Sequence, residues 1–149
     1  MRAVVQRVAR ACVKVDGRVT GSIENGLLVF VGVGVDDNER DAEQLAAKIA
    51  GLRIFPDENG FMNRSLLEAG GEALLVSQFT LHGDARKGRR PSFITAAKEP
   101  IARNLYERVG AAIEAHGVRV AYGEFGAKMD VELLNRGPVT ILLDSKRRF

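Results

Sequence analysis

From Val4 to Val15 the chain is rich in valine, and apolar residues alternate with Gln6, Arg10 and Lys14. That period of two predicts a long strand. Asp16-Gly17-Arg18 is a hairpin signal, and Val19 to Ile23 reads as the returning strand. After the turn Glu24-Asn25-Gly26 the apolar run Leu27–Val33 shows no polar alternation, the pattern of a strand buried on both faces. The chain therefore opens as a β-meander. Beyond Asp36 the period changes. Asn38 can cap a helix whose first turn is acidic, and Ala42, Leu45, Ala46 and Ile49 form a stripe at helical spacing that stops near Gly51.

A short strand over Leu52–Phe55 follows, closed by the turn Pro56-Asp57-Glu58-Asn59-Gly60, then one helical turn over Ser65–Ala69. Ala73–Phe79 is the next strong strand, and His82–Pro91 is a loop. Pro100 suits the start of a second helix with Ile101, Leu105, Val109, Ala112 and Ile113 on its buried face and Gly117 at its end. Val118–Tyr122, Met129–Leu134 and Val139–Leu143 read as the last strands, before a basic tail Ser145–Phe149. This order predicts one α+β (mixed α/β) domain rather than a doubly wound sheet.

A length of 149 residues suits a single domain with its own core. Cys12 is the only cysteine, so an intrachain disulfide is excluded and a cysteine-based metal site is not expected. It lies in a strand pattern and reads as a small buried hydrophobe. Charges come too early at the N-terminus for a signal peptide, and the longest apolar stretch, Leu27 to Val35, is too short to span a bilayer. A soluble cytoplasmic protein is expected. The net charge of +3 permits a polyanionic partner without demanding one.

Two segments break the pattern at a strand end. Ser77-Gln78-Phe79-Thr80-Leu81 offers hydroxyls, an amide and an aromatic ring. It is either a polar strand end stitched by turn hydrogen bonds or one wall of a ligand site. Asn135-Arg136-Gly137-Pro138-Val139-Thr140 puts proline where a strand needs a donor. It is either a hairpin turn or backbone shaped toward a ligand. The loop Arg86-Lys87-Gly88-Arg89-Arg90, with Lys146-Arg147-Arg148, is a solvated surface or a phosphate site. Phe61, Phe93 and Phe125 flank glycine or serine, as rings that stack on a nucleotide do. Asp130 and Glu132 share a strand face but carry little weight as a carboxylate pair.

These segments, with Val5-Gln6-Arg7-Val8, Gly26-Leu27-Leu28-Val29, Arg53-Ile54-Phe55, Met62-Asn63, Arg90-Pro91-Ser92-Phe93 and Phe125-Gly126-Ala127-Lys128-Met129, resemble the D-aminoacyl-tRNA deacylases over essentially the whole chain. The resemblance implies a barrel-like mixed sheet with two main helices. It implies hydrolysis of the ester joining a D-amino acid, or glycine, to the terminal adenosine of tRNA, by a homodimer with no cofactor and no metal. It implies that Ser77, Gln78, Phe79 and Thr80 form the reacting end of the site. Gly137 and Pro138, joined by a cis bond, would come from the partner subunit and reject L-amino acids, with Arg7 bracing them across the interface. Phe79, Phe93, Ala97, Phe125 and Met129 would form the adenosine pocket, and Arg86, Lys87, Arg89 and Arg90 would meet tRNA phosphates. No histidine or carboxylate is placed by motif to activate Thr80, which favours attack by water over an acyl-enzyme. Three rivals are an inactive RNA-binding dimer, a module that clears an L-amino acid, and a small-molecule esterase.

Overall fold

A computed structural model describes residues 1–149. The opening meander is β1 (Arg2–Val15), β2 (Arg18–Ile23) and β3 (Gly26–Gly32). Helix α1 (Glu39–Gly51), the small hairpin β4 (Phe55–Pro56) and β5 (Met62–Arg64), and β6 (Glu72–Ser77) follow. A 3₁₀ turn (Phe79–His82), α2 (Ile101–Ala115), β7 (Val120–Tyr122) and β8 (Asp130–Asp144) complete the chain. The main sheet runs β2-β1-β3-β6-β7, with β8 on the other edge of β1. The β1 pairings are antiparallel, whereas β3, β6 and β7 are parallel, so α1 and α2 lie in the two crossovers. Gly21 of β2 sits against the Tyr122 carbonyl of β7 with no room for a Cβ, so the sheet nearly closes into a barrel.

Leu27, Leu28, Val29, Leu74 and Leu75 are fully buried, as unalternating runs in a sheet covered on both faces must be. One core joins the helices to one face of the sheet through residues such as Val5, Leu45, Ile49, Leu75, Val109 and Ile113. A smaller one, with Val8, Val13, Leu28, Leu74 and Val76, fills the barrel. Asn38 caps α1 as its sequence indicates. Its side chain accepts from Arg40 N (3.0 Å) and Asp41 N (3.3 Å), while the Asp41 carboxylate accepts from Asn38 N (3.0 Å). Neither helix is long and apolar enough to cross a membrane.

The structure corrects several boundaries. The strand expected over Leu52–Phe55 shrinks to Phe55–Pro56, and its partner β5 had no sequence signal of its own. The strand expected to reach Phe79 ends at Ser77. Ile101 is exposed and lies off the buried face of α2, and Cys12 is half-buried rather than enclosed. The two last strands are one, β8, which pairs with β1 along nearly its whole length. Gly137-Pro138 is therefore not a hairpin. Gln6 faces Thr140 and Val8 faces Asn135, so Arg136, Gly137, Pro138 and Val139 bulge out opposite the single residue Arg7.

Candidate active site

The buried run Leu74-Leu75-Val76 delivers Ser77 to the end of the parallel strands, where it pairs with Val31. Gln78 N makes a last bond to Val31 O (2.8 Å), and β3 then ends at Gly32. With no ladder left, the chain turns into the 3₁₀ segment. The amide of Gln78 is spent on the sheet, whereas the N–H groups of Phe79 and Thr80 are the first two donors of the 3₁₀ segment and meet no capping side chain. They start the 3₁₀ segment, where backbone donors are left free.

Beside this strand end lies a cavity of about 500 Å³ lined by 18 residues, 13 of them hydrophobic. It brings together Ser77, Gln78, Phe79, Phe93, Ala97, Phe125 and Met129, which come from segments far apart in the sequence. Phe79 and Phe93 meet edge to face, with ring centres 5.1 Å apart. Phe125 tilts against Tyr106 at 5.5 Å, and the Arg103 guanidinium lies 4.6 Å from its ring centre. Thr80 is exposed next to the cavity rather than in its lining, and its hydroxyl accepts from Gln78 Nε2.

His82, the imidazole nearest Thr80 in sequence, is buried on the other side of the turn. Gly32 and Gly34 make room for it, since a Cβ on either would come within 3.0–3.2 Å of its ring. Its Nε2 has no partner. Burial pushes the His82 pKa below its ordinary value. Arg2 and the Met1 amino group act the same way, against a backbone group of Gly32 and Asp37.

Arg7, Gly137 and Pro138 do not line the cavity of their own chain. Arg7 Nε donates to Arg136 O (2.9 Å) and Nη1 to Ile54 O (2.6 Å), so Arg7 braces the bulge of its own chain, where the resemblance implied a brace across an interface. Asn135 closes the bulge from inside. Its Oδ1 accepts from Val139 N (2.8 Å), and its Nδ2 donates to Val139 O (3.2 Å). The Gly137-Pro138 bond is cis, as is Glu99-Pro100, which had no signal in the sequence. Gly137 has φ +144, and a Cβ there would come within 3.0 Å of Arg7 Nη2 and 2.8 Å of Val139.

Three cations of the basic segments are committed within the chain. Arg86 donates to both oxygens of Asp84 (2.9 and 2.6 Å), and this holds the Asp84 carboxyl well below the usual carboxylate range. Lys146 donates to Asp41 (2.9 Å), and Arg148 pairs with Asp36 (3.1 Å), so two of the three tail cations fasten the C-terminus to the fold. Glu132 pairs with Lys14 at the surface (2.8 Å).

Four lining residues of weight were missed: Lys98, Glu99, Ala102 and Tyr106. The stripe Ala102-Tyr106-Val109-Ile113 on α2 could have revealed Tyr106. Its buried hydroxyl donates to Leu75 O (2.9 Å) and ties α2 to β6 beneath the site, and burial pushes its pKa up.

Hydroxyl, carboxamide and free backbone N–H donors at the rim of an apolar hollow are the equipment of an ester hydrolase that works by positioning. Comparison with known proteins narrows that class. Residues 4–144 match the family described as D-Tyr-tRNA(Tyr) deacylase. A D-aminoacyl-tRNA deacylase of Koribacter versatilis (strain Ellin345) is 62% identical over 149 residues, covering 100% of both chains. One from Thermosipho africanus (strain TCF52B) is 59% identical, again over 100% of both. The solved structure of the c-Myc DNA Unwinding Element Binding Protein superposes with a TM-score of 0.90 at 38% identity, covering 97% of this chain and 98% of that one. The chain belongs to the D-aminoacyl-tRNA deacylase family and is an ester hydrolase.

Proposed function

We propose that this chain, as one domain over residues 1–149, hydrolyses the ester between a D-amino acid and the terminal adenosine of tRNA in the cytoplasm. It clears glycine from mischarged tRNA by the same route. The observation that carries this reading is the cavity itself. Its apolar walls suit a base and ribose, and its edge at Ser77 and Gln78 leads directly into the first amides of the 3₁₀ segment, those of Phe79 and Thr80. With the adenosine between Phe79, Phe93, Ala97, Phe125 and Met129, the ester carbonyl lies at this edge. The two amides then stabilise the oxyanion as water attacks. Ser77 and Gln78 orient the ester and the water, and the tRNA ribose hydroxyl assists proton transfer.

Chirality is judged by the bulge on a partner subunit. The exposed carbonyls of Gly137 and Pro138 accept from the substrate α-amino group. An L side chain then meets backbone, while hydrogen or a D side chain points to open space. Two observations support a dimer. None of Arg7, Gly137 and Pro138 reaches the cavity of its own chain. The 15-residue strand β8 has no fully buried residue and leaves Leu133, Leu134 and Leu142 exposed, an apolar edge that asks for cover. Arg86, Lys87, Arg89 and Arg90 serve the tRNA acceptor stem only through their unpaired members, because Arg86 is held by Asp84.

Mixing chains tests this arrangement. Gln78→Ala and Gly137→Ala chains are each made inactive on D-tyrosyl-tRNA, then exchanged into mixed dimers. Half the dimers are mixed, and each holds one site with both elements intact, so about a quarter of wild-type activity returns. No recovery on mixing would refute a motif supplied by the partner. A wild-type chain that releases no tRNA would refute the deacylase reading.

A further inference from the structure

The rim of the cavity carries one positive charge that nothing in the chain neutralises. Among the 18 lining residues Lys98 is the only base and Glu99 the only acid. Glu99 is already balanced, since Arg103 Nε and Nη2 donate to its two oxygens at 3.2 Å each. Lys98 is exposed and has neither an ion-pair partner nor a side-chain hydrogen bond, unlike Lys14 and Lys146. Its backbone is fixed on both sides: Ala97 N donates to Val33 O (2.9 Å), and Lys98 O accepts from Ala102 N (3.0 Å). A free ammonium on a flexible four-carbon stem, swung from a fixed backbone, serves as a point charge that can reach an anion at the rim.

The substrate proposed above has a charge to match. Its terminal adenosine is joined to the preceding nucleotide by a phosphodiester at the 5′ oxygen. With base and ribose in the apolar cavity and the ester at Ser77 and Gln78, that phosphate is the first charge outside. An anion beside an apolar wall needs a countercharge. The basic loop does not line this cavity, and its first cation is held by Asp84. We infer that Lys98 binds the phosphate on the 5′ side of the terminal adenosine and so selects nucleotide esters over nucleoside esters. The inference rests on the deacylase reading of the cavity and adds a contact to it.

The test compares D-aminoacyl 3′-esters of adenosine 5′-monophosphate with those of plain adenosine. The wild type favours the phosphorylated ester by about tenfold in kcat/KM, chiefly through KM. Lys98→Gln reduces that preference to within about twofold, and Lys98→Arg keeps it. On whole D-aminoacyl-tRNA, Lys98→Gln makes the slope of log(kcat/KM) against log[salt] shallower by about 0.7. A preference that survives Lys98→Gln, no preference in the wild type, or an unchanged salt slope would each overturn the inference. So would equal loss on both esters, which marks a merely structural residue. A wild type inactive on D-aminoacyl-tRNA itself shows instead that the deacylase reading has failed, and takes this contact with it.

Discussion

At the scale of single residues, the Thr80 hydroxyl accepts from Gln78 Nε2 and makes no hydrogen bond to a carboxylate or imidazole. A hydroxyl becomes a nucleophile only when a base takes its proton. His82 is two residues away in sequence, yet its ring is buried against Gly32 and Gly34, and its free nitrogen stays out of solvent. In the proposed mechanism the ester is therefore acted on by two backbone amides and by the side chains that orient the substrate and the water. Thr80→Ala is therefore expected to lower kcat by no more than about tenfold, as loss of a positioning contact does. Removing a true nucleophile costs on the order of 10⁴-fold or more. A collapse of that size, or an acyl adduct trapped on Thr80, would contradict water attack. Gly137 is the other residue where local geometry decides. Its φ of +144 and the crowding by Arg7 and Val139 exclude a Cβ, and the sequence signalled this only as a glycine beside a proline.

At the scale of elements, the 3₁₀ turn that carries Phe79 and Thr80 is seated on β3 through His82. Because the folded pKa of His82 lies below its ordinary 6.5, the unfolded chain binds more protons between the two values. The stability from burying neutral His82 is full above about pH 6.5 and is lost as pH falls toward the folded value, at no more than about 1.4 kcal/mol per pH unit. The lowered carboxylates Asp36, Asp41, Asp57 and Asp84 lose their contributions further toward acid, at and below their ordinary 3.8. Thermal unfolding followed between pH 7.5 and 5 should show Tm falling below pH 6.5 in the wild type and a flatter profile in His82→Gln. Parallel profiles would contradict this seating. Elements held by their own hydrophobic period, such as β1, β3, α1 and α2, were legible in the sequence. β8 was not, because a proline reads locally as a stop. The Asn135 side chain instead takes over the ladder's hydrogen bonds across the bulge, and the strand resumes at Thr140. The end of β6 was misplaced for a related reason. Phe79 is a good strand former two residues beyond Ser77, but β3 ends at Gly32 and supplies no further partner.

At the scale of the whole molecule, the cavity is made by bringing the end of β6 under the N-terminal turn of α2 and the 125–131 segment. No local pattern announces that meeting. The motif residues Ser77, Gln78, Phe79, Phe125 and Met129 were found through family resemblance, whereas Lys98 and Glu99 became visible only once α2 was in place. The same view separates the two halves of the proposed reaction: in that proposal one chain holds the adenosine and the ester, and the Gly137-Pro138 bulge of a partner subunit reads chirality. In the proposed reaction hydrolysis is limited to substrates whose α-carbon presents no L side chain. That limit is tested most directly by the rates at which the purified protein releases tRNA from D-tyrosyl-tRNA and L-tyrosyl-tRNA under identical conditions. The D ester should be cleared at least about a hundredfold faster, a difference of about 2.7 kcal/mol between the two transition states. Equal rates for the two esters, or faster release from the L ester, would contradict it.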